Sequence, residues 1–189
     1  ALFERPGLPA EALRIDVLLW PDGPGLGFDV SKAEMGRIRL ALEGRIVDLA
    51  KPAGVDARFD IHFPDAAILT AWLPGLAPPT GPFMANGALE HRGDLTQLEG
   101  VAITVGENEL RVDGSFTPEW DLDLQLKATG PDLSDLDGLA RTSLPAAPFA
   151  ASTGLTGRPA ALEFKDLSVR VGRSEVSGSL SLRRGERTL

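Results

Sequence analysis

Cysteine and tyrosine are absent from this chain, histidine occurs twice, and aromatic residues make up only 6% of it. Without cysteine, a disulfide framework and a thiolate metal site are both excluded, and the redox compartment is left open. Only His62 and His91 supply an imidazole, and no G-x-S-x-G elbow occurs, so nucleophilic catalysis has almost no material to work with. His62 falls on the polar side of an alternating segment beside Arg58 and Asp60, and His91 stands between Glu90 and Arg92. Both are read as exposed side chains with no special role. Basic charge is scarce too. Nineteen Lys and Arg face 27 Asp and Glu, a net charge of -8, and the one basic cluster is Arg183, Arg184 and Arg187. That balance disfavours nucleic acid or an anionic membrane surface as the main partner. Long apolar runs are missing as well. The longest, at 66–73, is less than half of a membrane span and stops at Pro74, so the chain is expected to be soluble.

The acidic residues do not assemble into a convincing site. Asp132, Asp135 and Asp137 before Gly138 invite a calcium-loop reading, but the first ligand position would be Leu133 and the bidentate position Leu144. A helix start that favours acids for dipole reasons accounts for them better. Asp121 and Asp123 project to one side of an alternating segment, which fits a solvated face rather than a glycosidase pair. The Gly-rich stretch at 23–27 lacks the Lys-Ser/Thr of a phosphate loop. No enzyme activity, metal or cofactor is expected.

What is present is alternation, with hydrophobic residues at 43% and ample for a core. Val101, Ile103 and Val105 alternate with polar or small neighbours. So do Leu122, Leu124 and Leu126, and also Leu167, Val169 and Val171. The first third repeats the pattern at Ile38, Leu40 and Leu42 and at Phe59, Ile61 and Phe63. Gly and Asn punctuate these runs at 21–27, 106–109 and 172–175, where antiparallel hairpins need reversals. Two segments, 64–73 and 131–140, place Asp after Pro and then space apolar residues at helical intervals; each predicts a helix of two or three turns.

A repeat organises these elements. Pro82-Phe83 and Pro148-Phe149 stand 66 positions apart, as do Gly106 and Gly172, whereas Gly114 and Gly178 are 64 apart. The later hairpin loop is therefore expected to be two residues shorter, with Glu107 and Asn108 extending the earlier one. The units are taken as 1–81 (degenerate, with a short helix), 82–147 (with a short helix) and 148–189 (truncated), all in one continuous domain. The expected fold is mainly β: a repeat-built antiparallel sheet, either a curved trough or an open sandwich, with two short helices. About a dozen strands at roughly 4.8 Å spacing give a face about 50 to 60 Å long.

The string at 147–182, with Asp166, Leu167, Gly172, Ser174, Ser177, Gly178 and Leu180 in order after Pro148-Phe149, resembles the recurring element of AsmA-like proteins. The strand and helix at 121–140 resemble what that family places before the element. The copy at 82–116 departs from the pattern, with Asp113 set against Ser177, and residues 1–57 show little beyond alternation. The resemblance implies a periplasmic protein of a Gram-negative bacterium, anchored in the inner membrane by a segment outside this chain. It also implies a role in outer-membrane assembly and phospholipid transport along an apolar groove, with no active site. The chain opens on Ala1 and closes just after RRGERT, so a section of a longer protein is expected. Candidate contacts for phospholipid acyl chains are Val101, Ile103, Val105, Leu122, Leu124, Leu126, Leu167, Val169 and Val171; the competing reading makes them ordinary core. The rival function is a β-sandwich module for protein or carbohydrate partners. Edge-to-edge self-association through 13–20 and 176–182 is also expected, since a slice of sheet leaves strands without neighbours.

Overall fold

A computed structural model describes residues 12–49, 54–71 and 77–183. They form one antiparallel sheet of eleven strands in sequential order, each hydrogen-bonded to the strand before and after it in the chain. The strands are β1 (Leu13–Asp22), β2 (Gly25–Met35), β3 (Ile38–Ile46), β4 (Gly54–Phe63), β5 (Phe83–Arg92), β6 (Leu95–Val105), β7 (Asn108–Phe116), β8 (Leu122–Gly130), β9 (Phe149–Arg158), β10 (Ala161–Val171) and β11 (Ser174–Arg183). Strand-forming alternation is what the sequence supplies in every one of these spans. Five of the turns between them begin with a left-handed glycine: Gly23, Gly36, Gly93, Gly106 and Gly172. A two-residue hairpin needs that positive φ to follow the twist of its strands.

The middle strands β6 and β10 carry a bulge at matching places. Their registers shift between Leu98 and Val101 and between Phe164 and Leu167. The residue that turns left-handed in each is Gly100 (φ 58) or Asp166 (φ 50), 66 positions apart. Glycine adopts this conformation freely and aspartate is among the few other residues that tolerate it, so the bulge survives the change of residue. Phe83 and Phe149, which open β5 and β9, are both buried, at 9% and 8% exposure. In β2 the shift falls between Val30 and Ala33, one row away from its place in β6.

The hairpin loops correct one expectation. Val105 pairs with Asn108 and Val171 with Ser174, so both turns hold two residues and the later loop is not shorter. Asn108 begins β7 rather than extending a loop. Leu98 pairs with Gly114, and Phe164 with Leu180, so the 66-residue offset runs through the whole hairpin and Gly114 corresponds to Leu180 rather than Gly178. The two glycines are not equivalent, because each answers a local need: a Cβ on Gly114 would collide with the Asp123 carbonyl.

The two helical segments are shorter and tighter than their apolar spacing predicts. The first is a 3-10 helix, Ala66–Ala71, with Trp72 and Leu73 outside the described residues. The second is a 3-10 turn, Leu133–Leu136, continued by α1 (Asp137–Ala140). Pro-rich links follow both within a few residues and prevent a regular helix from developing. Ala66 is completely buried with Phe83 and Ala85, and Phe59, Ile61, Phe63, Leu69, Ile103 and Val105 pack around them. Phe63 and Phe83 stack with ring centroids 5.2 Å apart. This small cluster lies under the first helical segment, and Val101, Val112 and Phe149 are the other buried apolar side chains among the described residues. No large side chain among the described residues is fully buried, as expected of a single layer with no second sheet on it.

Candidate functional site

Antiparallel pairing puts directly opposed residues on the same face, so the registers can be followed from strand to strand across the whole sheet. One such row reads Ile15, Ala33, Leu40, Ile61, Ala85, Ile103, Leu110, Ala128, Ala151, Val169, Val176. Four residues further along most of the strands, another reads Leu19, Phe28, Gly44, Ala57, Leu89, Leu98, Gly114, Leu124, Leu155, Phe164, Leu180. Neither contains a polar side chain. Ten spacings of roughly 4.8 Å make each row about 48 Å long.

All nine residues singled out from the sequence lie on this face. Val101 is buried, and the other eight are half-buried. Their surroundings differ, however. Ile103 and Val105 pack into the cluster around Ala66 and Phe83 and are core in the ordinary sense. Leu122, Leu124, Leu126, Leu167, Val169 and Val171 lie outside that cluster and lean on their cross-strand neighbours. At the two edges the same face is open: Leu19 is 57% exposed and Val176 65%.

The opposite face carries the charge. Asp56 receives Arg45 Nε at 2.7 Å on one oxygen and an Arg92 guanidinium nitrogen at 2.7 Å on the other. The Arg92 bond, and after it the Arg45 bond, hold the Asp56 carboxyl below the usual carboxylate range against the opposing effect of its partial burial. These groups, with Glu43, Arg58, Glu90 and Gln97, surround a hollow of about 390 Å³ that Trp20 closes at one side. Trp20 lies across its cross-strand partner Gly27, where a Cβ would strike the indole. His62 is on this face, bonded to Asp60 at 2.9 Å.

His91 is not where the sequence put it. Its flanking charges Glu90 and Arg92 point the other way, and its ring lies half-buried on the apolar face. There it pairs with Thr96, with Nδ1 and Oγ1 3.0 Å apart. Alternation along a charged segment could have shown this, since His91 is in phase with Ala85 and Leu89. The three clustered acids are separately employed. Asp132 caps the second 3-10 turn, accepting from Ser134 N at 2.9 Å and Ser134 Oγ at 2.7 Å. Asp135 accepts from Asn108, and Asp137 from Leu144 N. The Ser134 bonds lower the Asp132 pKa. Among the described residues no three His, Asp or Glu side chains converge as metal ligands, and no helix is long and apolar enough to cross a membrane.

Compared with known proteins, the chain matches no family model, no curated protein and no solved structure.

Proposed function

We propose that this chain is a section of an AsmA-like periplasmic protein of a Gram-negative bacterium, held at the inner membrane by a segment outside it, and that its apolar face holds or conducts phospholipid acyl chains in support of outer-membrane assembly. The observation that carries this reading is the pair of wholly apolar rows running across eleven strands, one of them covered by the first helical segment at Ile61, Ala85 and Ile103, with no second sheet over them among the described residues. A face of this length that has no second layer among the described residues is suited to something apolar. An acyl chain is of the right chemistry and length. Burying about fifteen methylenes at about 0.8 kcal/mol each returns on the order of 12 kcal/mol before ordering and desolvation are charged. Neighbouring positions in a row offer similar Val, Leu, Ile and Ala side chains, so a chain moving across the strands meets shallow wells. Movement then needs no catalytic group.

The β-sandwich alternative lacks its second layer among the described residues. A partner of the sandwich type, such as a carbohydrate, finds its support only in the polar hollow beside Trp20. Native mass spectrometry of the purified chain tests the main reading: co-purified phospholipid, displaced by added fatty acid, is expected. A chain that stays free of lipid after incubation with phospholipid vesicles would overturn it.

A further inference from the structure

Along the lower margin of the apolar face the row reads Leu26, Ile46, Val55, His91, Thr96, Phe116, Leu122, Gly157, Leu162, Leu182. One polar pair interrupts it. His91 is the only ionisable side chain in the three rows, Thr96 is 9% exposed, and the two satisfy each other through a single hydrogen bond. That bond occupies Nδ1 of the half-buried His91 ring and does not use Nε2, and the threonine hydroxyl keeps the capacity for a second bond. Next in the row is Phe116, on which the Trp120 indole stacks at 5.9 Å. Trp120 is held in a left-handed backbone conformation (φ 59) that a bulky residue adopts only at a cost, and it remains 60% exposed. The turn is fixed by Trp120 N to Thr117 O at 2.9 Å and by the Arg158–Asp121 ion pair at 3.1 Å. A polar pair, with a stacked aromatic pair beside it whose outer member Trp120 is strained and exposed, thus sits at the rim of an apolar surface, and its place is termed the notch.

Resting on the acyl-chain reading above, we infer that this notch is the head-group position: His91 and Thr96 hydrogen-bond the glycerol-ester and phosphate oxygens of a bound glycerophospholipid, Phe116 and Trp120 flank them, and the tails lie on the apolar rows further up the strands. The chemistry is complementary in order. An acyl lipid changes from apolar to oxygen-rich within a few ångströms, and the face makes the same change on passing from Leu98 and Leu124 to His91 and Thr96. The placement also leaves the charged head facing solvent, beyond the strand ends, rather than on hydrocarbon. The notch gives a moving lipid one preferred stop in an otherwise uniform path.

The test compares two fluorescent probes with the same tail, a pyrene-labelled alkane without a head group and a pyrene-labelled lysophosphatidylcholine, binding to wild type and to His91→Leu/Thr96→Val. Two hydrogen bonds at about 1 kcal/mol each amount to roughly a thirtyfold preference for the phospholipid beyond that of a bare apolar face. Wild type is expected to show it, and the double variant to lose it while binding the alkane unchanged. His91→Gln, which keeps a donor and acceptor, is expected to restore most of the preference. A double variant that keeps the preference overturns the notch and leaves the acyl reading standing. One that remains folded by circular dichroism yet loses both probes equally overturns the notch as a head-group site. Failure of wild type to bind either probe overturns both readings.

Discussion

Placing one carboxylate at each of two equivalent points of the apolar face separates open surface from core. Ile103 and Val169 occupy the same row, 66 positions apart, yet only Ile103 packs into the cluster under the first helical segment. Ile103→Asp removes a packed side chain and buries a carboxylate without a partner, a combined cost of about 3 to 5 kcal/mol. Val169 leans on Ala151 and on Val176, itself 65% exposed, so an aspartate there can reach water. Its cost is the partial loss of apolar contact and of strand preference, about 1 to 2 kcal/mol. At roughly 2 to 4 °C per kcal/mol for a chain of this size, thermal unfolding followed by circular dichroism should fall by about 12 °C for Ile103→Asp and about 4 °C for Val169→Asp. Crosslinking of a phospholipid with a photoreactive tail should drop at least about tenfold in the folded Val169→Asp protein, because the acyl segment then meets a charge. Equal destabilisation by the two substitutions would mean that the far end of the face is also covered. A folded Val169→Asp protein that captures lipid as well as wild type would place the path elsewhere.

At the bulges, Asp166→Gly is expected to raise stability by about 0.5 to 1 kcal/mol in chemical denaturation. Gly100→Val should cost about 1 to 2, a conformational cost only, because a Cβ at Gly100 meets no atom within 4 Å. Asp56 and Asp132 both have lowered folded pKa values, so their contributions are complete above the ordinary carboxylate pKa of 3.8 and are lost as pH falls through the folded values below it. Asp56→Asn is therefore expected to flatten the acid limb of a stability–pH curve, and an unchanged limb would count against the Arg92 and Arg45 bonds. β1 and β11 end the sheet, and self-association is expected to rise with concentration in light scattering. Val176→Lys in β11 should reduce it.

The fold was largely legible because alternation is a local property: each strand announces which of its residues face the core regardless of what lies beside it. The nine apolar candidates came out on one face for that reason. What alternation does not carry is coverage. Nothing in the residues themselves shows that Ile103, and not Val169, joins the cluster beneath the Ala66 segment, since that depends on where a Pro-rich link brings a short helix down. The place of His91 is masked in the sequence by its charged neighbours Glu90 and Arg92, although neighbours in a strand point to opposite faces. The hairpin offset failed in a related way. Glycines were matched as equivalents, whereas Gly114 answers the Asp123 carbonyl on the adjacent strand and Gly178 meets nothing within 4 Å.

Acyl chains are expected to lie on one face of the sheet and not on the other. Photoreactive phenylalanine analogues at Leu124 and Leu155, neighbours in an apolar row, and at Gln125 and Lys127, exposed on the polar face of the same β8 strand, would be irradiated in the presence of phospholipid. Lipid adducts at 124 and 155 with none at 125 and 127 are the predicted result. Adducts of equal yield on both faces, or none at either apolar position in a folded protein, would contradict it.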